Sequence, residues 1–274
     1  MMVKPRGQFW EADFVISRAA ASLHDPQRLS APYDEAALDL TVFVSCYNEA
    51  PYIIGTLDAV RSAAAEAGLA YEIIVIDDAS ADDSPQIVAD YIAANPDERI
   101  VLRVNRVNKG LAQNYLDAAF LGRGRYYRLI CGDNAEPRDS IVTVFNAIGK
   151  ADIIVPYFGL TEGRSLKRRV ISKSYTWLLN MITGYRLKYY NGLAVHLRHN
   201  VMRWHPNTRG FGFQADILCL LIELGFSYRE VETVTIEQRR GRSNALTFRN
   251  LLSVAHTLIE IGNRRLSNRL YRRR

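Results

Sequence analysis

Residues 72–84 read EIIVIDDASADDS, and this stretch decides the fold. Its apolar run, Ile73–Ile76, is rich in β-branched residues, which is typical of a strand buried on both faces of a parallel sheet. The run ends on Asp77 and Asp78, and carboxylates at the carboxyl end of a parallel strand lie where open α/β sheets bind ligands. We therefore predict that this pair binds sugar or ribose hydroxyls, or a metal. The alternative is that the pair caps the next helix, although Ser84 or Asp83 can supply that cap without them.

The alternation of buried strands and helical patterns continues on both sides of this stretch. Strands are expected at residues 41–46, 72–76, 99–104, 126–131 and 152–156, with helices between them. This alternation predicts a doubly wound, mainly parallel α/β sheet with helices on both faces. Each strand ends in polar residues, and because the carboxyl ends of parallel strands share one edge, a single pocket is predicted there.

Length and composition favour one large domain with appendages. The chain has 274 residues, of which 48% are hydrophobic, and this is enough to bury a sizeable core. We divide it into an N-terminal appendage (1–38) with helical spacing near residues 9–16, a central domain (39–245), and an amphipathic helix with a basic tail (246–274). The last eleven residues hold six arginines, so the net charge of +6 is assigned to the tail and the remainder is formally neutral.

Cysteine usage and hydropathy indicate the expected compartment. Cys46, Cys131 and Cys219 lie in apolar contexts, and an odd number of widely spaced cysteines favours reduced thiols in the cytoplasm. Acidic residues interrupt the first apolar segment, so no signal peptide is expected, and Glu223 keeps the longest apolar run below membrane-spanning length. Nucleic acid is not an expected partner, because the aromatic residues do not lie within basic stripes.

The polar strand ends supply carboxylates, amides and one lysine to the predicted pocket. These residues are Glu49, Asp77, Asp78, Asp133, Asn48, Asn108, Asn134 and Lys109. The first strand is not followed by G-x-G-x-x-G and the chain has no P-loop, so dinucleotide and Walker-type phosphate sites are disfavoured. Hard oxygen donors with spare positions suit Mg²⁺ or Mn²⁺ shared with a diphosphate.

Four motifs at these strand ends resemble those of family 2 glycosyltransferases, which have the GT-A fold. VSCYNEAPYI (44–53), IDDASADDS (76–84) and VNKGLAQN (107–114) resemble the first three motifs, and CGDNAEP (131–137) occupies the place of the metal-binding D-x-D motif. Four later segments resemble the dolichyl-phosphate mannosyltransferase branch. They are residues 168–184, 189–198, 210–232 and 239–243, so the resemblance covers about residues 40–260.

The resemblance implies transfer of a hexose from a nucleotide-diphosphate sugar, with inversion. Asp77 and Asp78 would hold the nucleoside, and neighbouring residues would flank it. The implied donor-binding set is Tyr47, Asn48, Glu49, Asp77, Asp78 and Lys109.

The D-x-D position departs from the family pattern. When Gly124 and Pro137 are aligned with the flanking glycine and proline of the family, Cys131 takes the first position and Asp133 the last. A thiol is a poor ligand for Mg²⁺, so the resemblance implies a metal at Asp133. Asn134 or Glu136 would complete its coordination sphere. The alternative is that Cys131 belongs to the strand core and that metal binding is weakened or lost.

Basic residues of the second half are assigned to the acceptor and to phosphate. A helix that begins near Arg168 and Arg169 and contains Trp177 suits a membrane interface or, alternatively, packs in the core. The RRGRS segment resembles a phosphate-holding arginine-glycine-serine element, which implies roles for Arg239, Arg240, Arg242 and Ser243. Arginines here, together with the metal, would neutralise the departing diphosphate.

The acceptor determines whether a general base is needed. A lipid phosphate is already an anion, whereas a sugar hydroxyl must lose its proton to a carboxylate. Asp216 lies near the position of that base in the family, although helix packing explains its segment as well. Core or surface positions are assigned to His196, His199, His205 and His256.

We therefore expect a cytoplasmic glycosyltransferase, peripheral at the inner membrane face, that acts on a polyprenyl-phosphate or other lipid-linked acceptor in cell-envelope glycan biosynthesis. The basic tail would attract anionic headgroups, at about 1 kcal/mol per charge near the surface. Two alternatives are transfer to a saccharide hydroxyl and a non-catalytic nucleotide-sugar-binding protein, the latter motivated by Cys131.

Overall fold

The computed structural model describes residues 15–16, 38–96, 99–159, 166–205, 212–236 and 248–271. In these ranges the strands are β1 (Val15–Ile16), β2 (Leu40–Cys46), β3 (Tyr71–Asp77), β4 (Ile100–Val104), β5 (Tyr126–Cys131), β6 (Ile153–Phe158), β7 (Val195–Leu197) and β8 (Tyr228–Thr233). The helices are α1 (Ile53–Glu66), α2 (Ser84–Ala94), α3 (Leu111–Leu121), α4 (Arg138–Phe145), α5 (Leu166–Thr183), α6 (Arg198–Met202), α7 (Phe213–Glu223) and α8 (Phe248–Tyr271).

All eight strands belong to one sheet, in the order β1-β4-β3-β2-β5-β7-β6-β8. Strands β4, β3, β2 and β5 run parallel to one another, and β6 runs parallel to β8. The short strand β7 is antiparallel to both β5 and β6, and β1 is antiparallel to β4. The prediction of a mainly parallel α/β sheet is therefore confirmed.

The central strands lack a polar alternation because both of their faces are covered. In β3, Ile73 and Val75 pack with α1, α2 and α4, whereas Ile74 and Ile76 pack with α3 and α7 on the opposite face. Both sets are buried, so successive side chains of the strand enter two separate apolar layers. Because both faces of β3 are covered as far as Ile76, the polar residue that follows, Asp77, lies at the edge of the sheet.

The structure corrects the prediction for the N-terminal appendage. Val15 and Ile16 were expected near a helical pattern, but they form an edge strand that pairs antiparallel with Val104 and Arg103. This pairing gives hydrogen-bond partners to N–H and C=O groups at the edge of β4, which a helical turn would leave unpaired. The remainder of residues 1–37 lies outside the described residues.

The predicted basic tail is also different in the structure. Helix α8 continues to Tyr271, so most of the arginine-rich segment is helical and packs on the domain. Arg264 bonds Asp216 of α7, and Arg265 bonds the Tyr185 hydroxyl. The first two arginines of the segment therefore form protein contacts and are not free for lipid headgroups. Among the described helices, none combines the length and apolarity that crossing a membrane requires.

Candidate functional site

Main-chain hydrogen bonds join the ends of neighbouring strands at the carboxyl edge of the sheet. The Asp78 amide donates to the Cys46 carbonyl over 2.9 Å, and the Asn105 amide donates to the Asp77 carbonyl over 2.9 Å. The Gly132 amide donates to the Ser45 carbonyl over 2.8 Å. The polar segments that follow β2, β3, β4 and β5 therefore share one edge, as the sequence predicts.

Asp78 joins the end of β3 to the segment after β4. One carboxylate oxygen accepts from Asn105 Nδ2 at 2.9 Å and from the Lys109 amide at 2.8 Å. The other accepts from the Gly110 amide at 2.9 Å, and the residue is only 6% exposed. Because both oxygens accept protein hydrogen bonds, Asp78 shapes the loop around Asn108 and Lys109.

Asp77 closes the turn that follows β3. Its two oxygens accept from the amide and the hydroxyl of Ser80, and the side chain is fully buried. The Ser80 hydroxyl in turn accepts from the Asn48 amide, and Asn48 Oδ1 accepts from the Ala81 amide at 2.8 Å. Asp77 thus connects the first and second motifs, and its carboxylate is committed within the protein.

The outward-facing residues of the donor edge follow β2. Tyr47 is 51% exposed and Asn48, at φ 56°, is exposed beside it. Glu49 is buried, and its amide donates to Ser84 Oγ at 2.9 Å. Of the predicted donor-binding set, Tyr47 and Asn48 are exposed and Lys109 is partly exposed, whereas Asp77, Asp78 and Glu49 are buried.

We expect Asp78→Ala to weaken both the fold and nucleotide binding, because three N–H groups lose their acceptor. A hydrogen bond to a charged group is worth about 1.5–3 kcal/mol, so the melting temperature and the nucleotide affinity should both fall. Thermal unfolding and titration calorimetry with nucleoside diphosphates measure the two effects. Asp90→Ala, which removes an exposed acid of α2, is the matched control. Unchanged melting and affinity for Asp78→Ala would exclude this role.

The loop after β5 carries one accessible carboxylate. Burial and then the charge of Asp133 raise the pKa of the Cys131 thiol to about 12, so it stays protonated. Asp133 is partly exposed, and its Oδ1 accepts from the Ala135 amide at 3.2 Å. Asn134 lies next to it at φ 51°, and its main-chain amide donates to Thr56 Oγ1 at 3.0 Å. Asp133 is therefore a partly exposed carboxylate that this loop offers to a cation.

Glu136, predicted as a metal ligand, is engaged elsewhere. Its carboxylate pairs with Nη2 of Arg128, a fully buried residue of β5. Arg128 also donates from Nε to the Leu193 carbonyl at 3.1 Å, and its guanidinium lies 5.6 Å from the centre of the Phe145 ring. Oε1 of Glu136 is therefore engaged with Arg128, whereas Oε2 is buried without a hydrogen-bond partner among the described residues, so its role as a metal ligand stays a prediction.

The oxygen ligands at this loop still fit a divalent cation that also binds the phosphates of the substrate. Within the described ranges there is no cluster of three or more His, Cys, Asp or Glu placed to hold a metal by itself. Mg²⁺ and Mn²⁺, however, are commonly held by one or two carboxylates together with substrate phosphates. Asp133 supplies such a carboxylate, whereas the protonated Cys131 thiol does not.

Cys131→Asp tests the alignment of this loop. If Cys131 occupies the first ligand position, a second carboxylate there should tighten Mn²⁺ binding about tenfold or more, since hard oxygen replaces a neutral thiol. Calorimetric titration of Mn²⁺ in the presence of a nucleoside diphosphate measures the change. Cys131→Ser is the control, because it replaces the thiol without adding a carboxylate. Equal Mn²⁺ affinities for the Asp and Ser variants would show that the alignment through Gly124 and Pro137 is wrong.

Asp216, predicted as a possible general base, lies in a buried network. Its Oδ2 accepts from Trp204 Nε1 at 2.8 Å, and its Oδ1 accepts from Arg264 Nη1 at 2.7 Å. The residue is 5% exposed. Because both oxygens already accept hydrogen bonds, the arrangement favours the helix-packing alternative over proton abstraction. His196 is buried as predicted, and burial lowers its pKa to about 4, so it is neutral at physiological pH.

The remaining predicted site residues are those assigned to binding of the acceptor or of phosphate. Arg239, Arg240, Arg242 and Ser243 lie outside the described residues, and so does the side chain of Arg168. Arg169 is partly exposed in the first turn of α5. The described chain reaches Ile236, whose amide donates to the Ala135 carbonyl at 2.8 Å. The segment that leads to RRGRS therefore starts beside the Asp133 loop.

Arg128 and Trp204 are the residues that sequence reasoning missed. A basic residue inside the apolar strand YYRLIC was a visible signal, since a buried arginine requires a carboxylate or carbonyl partner. Nothing in the local sequence pairs Trp204 with Asp216, because that contact joins the segment after α6 to α7.

Comparison with solved structures identifies the class of fold. The chain is similar to glucosyl-3-phosphoglycerate synthase from Mycobacterium tuberculosis, solved with Mn²⁺, UDP and glucosyl-3-phosphoglycerate, with a TM-score of 0.62 and 16% identity over 83% of this chain and 81% of that one. It is also similar to the mannosyltransferase PcManGT from Pyrobaculum calidifontis, solved with GDP-Man and Mn²⁺, with a TM-score of 0.60 and 19% identity over 86% of this chain and 69% of that one. The sheet, with its helices on both faces, is the GT-A fold.

The family follows from the sequence match. Residues 41–204 match the model of glycosyl transferase family 2, and the chain belongs to this family. It is 29% identical to the succinoglycan biosynthesis protein ExoO of Rhizobium meliloti over 143 residues, and this alignment covers 51% of this chain and 39% of ExoO. It is 37% identical to an uncharacterized protein of Mycobacterium tuberculosis over 89 residues, and this alignment covers 32% of this chain and 25% of that protein. The chain thus matches less than half the length of these curated relatives, and the resemblance to the dolichyl-phosphate mannosyltransferase branch stays a prediction.

Proposed function

We propose that the chain transfers a hexose from a nucleotide-diphosphate sugar to a lipid-linked acceptor such as a polyprenyl phosphate, with inversion at the anomeric carbon. The observation that carries this proposal is the position of the Asp133 loop. Through Gly132 it bonds the end of β2, and through Ala135 it bonds the segment that leads to the arginines. One loop therefore contacts both the donor edge and the strand end from which the chain continues towards RRGRS.

The donor would lie along the edge formed by the first three motifs. Tyr47 offers an exposed ring and Asn48 an exposed amide, while Asp78 fixes the Lys109 loop on the other side. This combination of an aromatic face and polar groups suits the base and hydroxyls of a nucleoside. Membership of glycosyl transferase family 2 supports the same assignment.

A divalent cation would be held by Asp133, with Asn134 beside it and the diphosphate completing the coordination. When bound, Mg²⁺ or Mn²⁺ supplies electrostatic stabilisation of the charge that develops on the departing diphosphate. Solved proteins of this fold contain Mn²⁺ with UDP or with GDP-Man, which supports the proposal.

Arginines after β8 would share that charge. Ile236 bonds Ala135, and Arg239 follows three residues later. We propose that arginines of this segment neutralise the diphosphate because the chain leading to them starts beside the Asp133 loop and because RRGRS resembles a phosphate-holding element.

The hydrogen bonds of Asp216 help to identify the chemical class of the acceptor. A phosphate acceptor attacks as an anion and needs no general base, whereas a hydroxyl acceptor does need one. The carboxylate predicted for that task is buried and bonded to Trp204 and Arg264. This favours a phosphate nucleophile and hence the lipid phosphate. A small phosphorylated acceptor is the second candidate, because a solved structure of this fold is bound to glucosyl-3-phosphoglycerate.

A transfer assay tests the proposal. The protein is incubated with UDP-, GDP- and dTDP-hexoses and Mn²⁺, with either polyprenyl phosphate or 3-phosphoglycerate as acceptor, and products are detected by mass spectrometry. A hexosyl polyprenyl phosphate is the expected product. A hexosyl phosphoglycerate would assign the second candidate. Binding of a nucleotide sugar with neither transfer nor metal-dependent hydrolysis would instead indicate a non-catalytic binding protein.

A further inference from the structure

Helix α5 exposes an apolar stripe on the side away from the domain. Leu166, Val170, Trp177 and Met181 are 74%, 55%, 62% and 59% exposed. Their spacing of four, seven and four residues places them on one face of a helix, with Lys173 between them. The opposite face is buried through Leu179 and its neighbours. The helix is therefore apolar on both sides, although it lies at the surface.

Helix α8 repeats this arrangement beside α5. Its buried side includes Ile261, which belongs to the same apolar core as Leu179 of α5. Its outer side exposes three apolar residues, Ile259, Leu266 and Leu270, at 61%, 59% and 65%. The outer stripes of both helices lie opposite their buried sides, so they face away from the same core.

Contacts between the two helices make these stripes parts of one surface. Arg265 of α8 lies 4.8 Å from the centre of the Tyr185 ring, just after α5, and donates to its hydroxyl at 2.9 Å. A Cβ at Gly262 would lie 3.8 Å from Ile182. We call the seven exposed apolar residues of α5 and α8 the two-helix face. Seven large side chains that are each more than half exposed form an apolar area on the order of several hundred Å², the size that marks interaction sites.

The charge of this part of the chain identifies a partner. Residues 163–215 contain ten Lys or Arg residues and no Asp or Glu. Without the last eleven residues, this part (residues 163–263) carries 15 basic and six acidic residues, whereas residues 1–162 carry 14 basic and 23 acidic ones. The neutral body expected from the sequence is thus an average over two oppositely charged parts, and α5 and α8 both belong to the basic part.

We propose that the two-helix face is a docking surface for an anionic lipid bilayer, with its apolar residues at the level of the headgroups and the surrounding lysines and arginines bound to lipid phosphates. Amphipathic helices that combine large apolar residues, including Trp, with basic residues bind anionic membrane surfaces in this way. A protein partner would require acidic groups complementary to this basic surround, whereas an anionic bilayer supplies them at every point. The inference deepens the proposed function and rests on it for the lipid-linked acceptor.

Vesicle co-sedimentation tests the docking surface without any transfer reaction. The full chain should sediment with phosphatidylglycerol vesicles, sediment weakly with phosphatidylcholine vesicles, and lose binding as salt shortens the electrostatic range. Trp177→Ser/Met181→Ser should reduce the apparent affinity for phosphatidylglycerol at least tenfold. Phe120→Ser, which removes an exposed aromatic residue of α3 outside the face, should leave it unchanged. Lys173→Glu separates the electrostatic contribution and should reduce binding mainly at low salt.

Nucleotide binding and folding are followed in parallel, so that this test is independent of the proposed transfer. Thermal unfolding and calorimetry with nucleoside diphosphates should be equal for the wild type and the double variant. Equal vesicle binding by the two proteins would overturn the inference, and so would an absence of binding by the wild type. A concentration-dependent dimer that the double variant abolishes in the absence of lipid would also overturn it, because the face would then join two copies of the chain.

Discussion

Asp133→Asn should abolish detectable transfer and leave the fold intact. Asparagine keeps the size of the side chain and its acceptor for the Ala135 amide, but it removes the negative charge that a cation requires. Loss of a single group that stabilises developing charge lowers turnover by about 10²–10³-fold, and loss of the metal as well would lower it further. Transfer assays with Mn²⁺ and thermal unfolding measure the two quantities.

The matched control for this variant is Asp139→Asn. Asp139 lies in the first turn of α4, and its side chain is 93% exposed, so the same chemical change removes a carboxylate outside the site. The control should retain activity. Transfer by Asp133→Asn within threefold of the wild type, at equal Mn²⁺, would contradict the assignment of Asp133.

Arg128→Met should cause the largest loss of stability among single substitutions in this region. The guanidinium is fully buried and is the partner of the Glu136 carboxylate, which is itself only 16% exposed. Removing one partner of a buried pair leaves an uncompensated charge and costs about 3–5 kcal/mol. Chemical denaturation followed by circular dichroism gives the free energy of unfolding.

A double variant tests whether the unpaired Glu136 carboxylate causes the loss of stability. Arg128→Met/Glu136→Leu removes both charges, and replacement of a buried pair by apolar residues is often neutral, so it should recover most of the lost stability. Arg128 also donates to the Leu193 carbonyl, a bond that the double variant lacks, so the recovery should be incomplete. A single variant that loses less than about 1 kcal/mol would show that solvent or a neighbouring group compensates Glu136.

Much of the sheet could be predicted because its central strands are buried on both faces. Such strands appear as continuous apolar runs that end abruptly, so Asp77 and Asp78 could be placed at the sheet edge. Their partners could not be predicted in the same way. The bonds from Asp78 to the Lys109 and Gly110 amides depend on β4 lying beside β3, which is a tertiary arrangement.

The second half of the sheet was less accessible to sequence reasoning. Strand β7 has only three residues, too few to show a period, and it enters the sheet between β5 and β6 in the antiparallel direction. The hydrogen-bond partners of Asp216 likewise could not be predicted from the local sequence. The sequence indicates a packed helix around it, but its hydrogen bonds depend on Trp204 and Arg264, the latter 48 residues away.

The two sides of helix α8 link membrane binding to folding as coupled equilibria. Its inner side holds Asp216 through Arg264, whose guanidinium also lies 3.5 Å from Glu223. Any surface that binds the folded helix and not the unfolded chain raises the stability of those inner contacts by mass action. A bilayer on the outer side would therefore lower the frequency with which α8 separates from α7. The lipid would act as a stabilising ligand of the domain as well as the site of its acceptor.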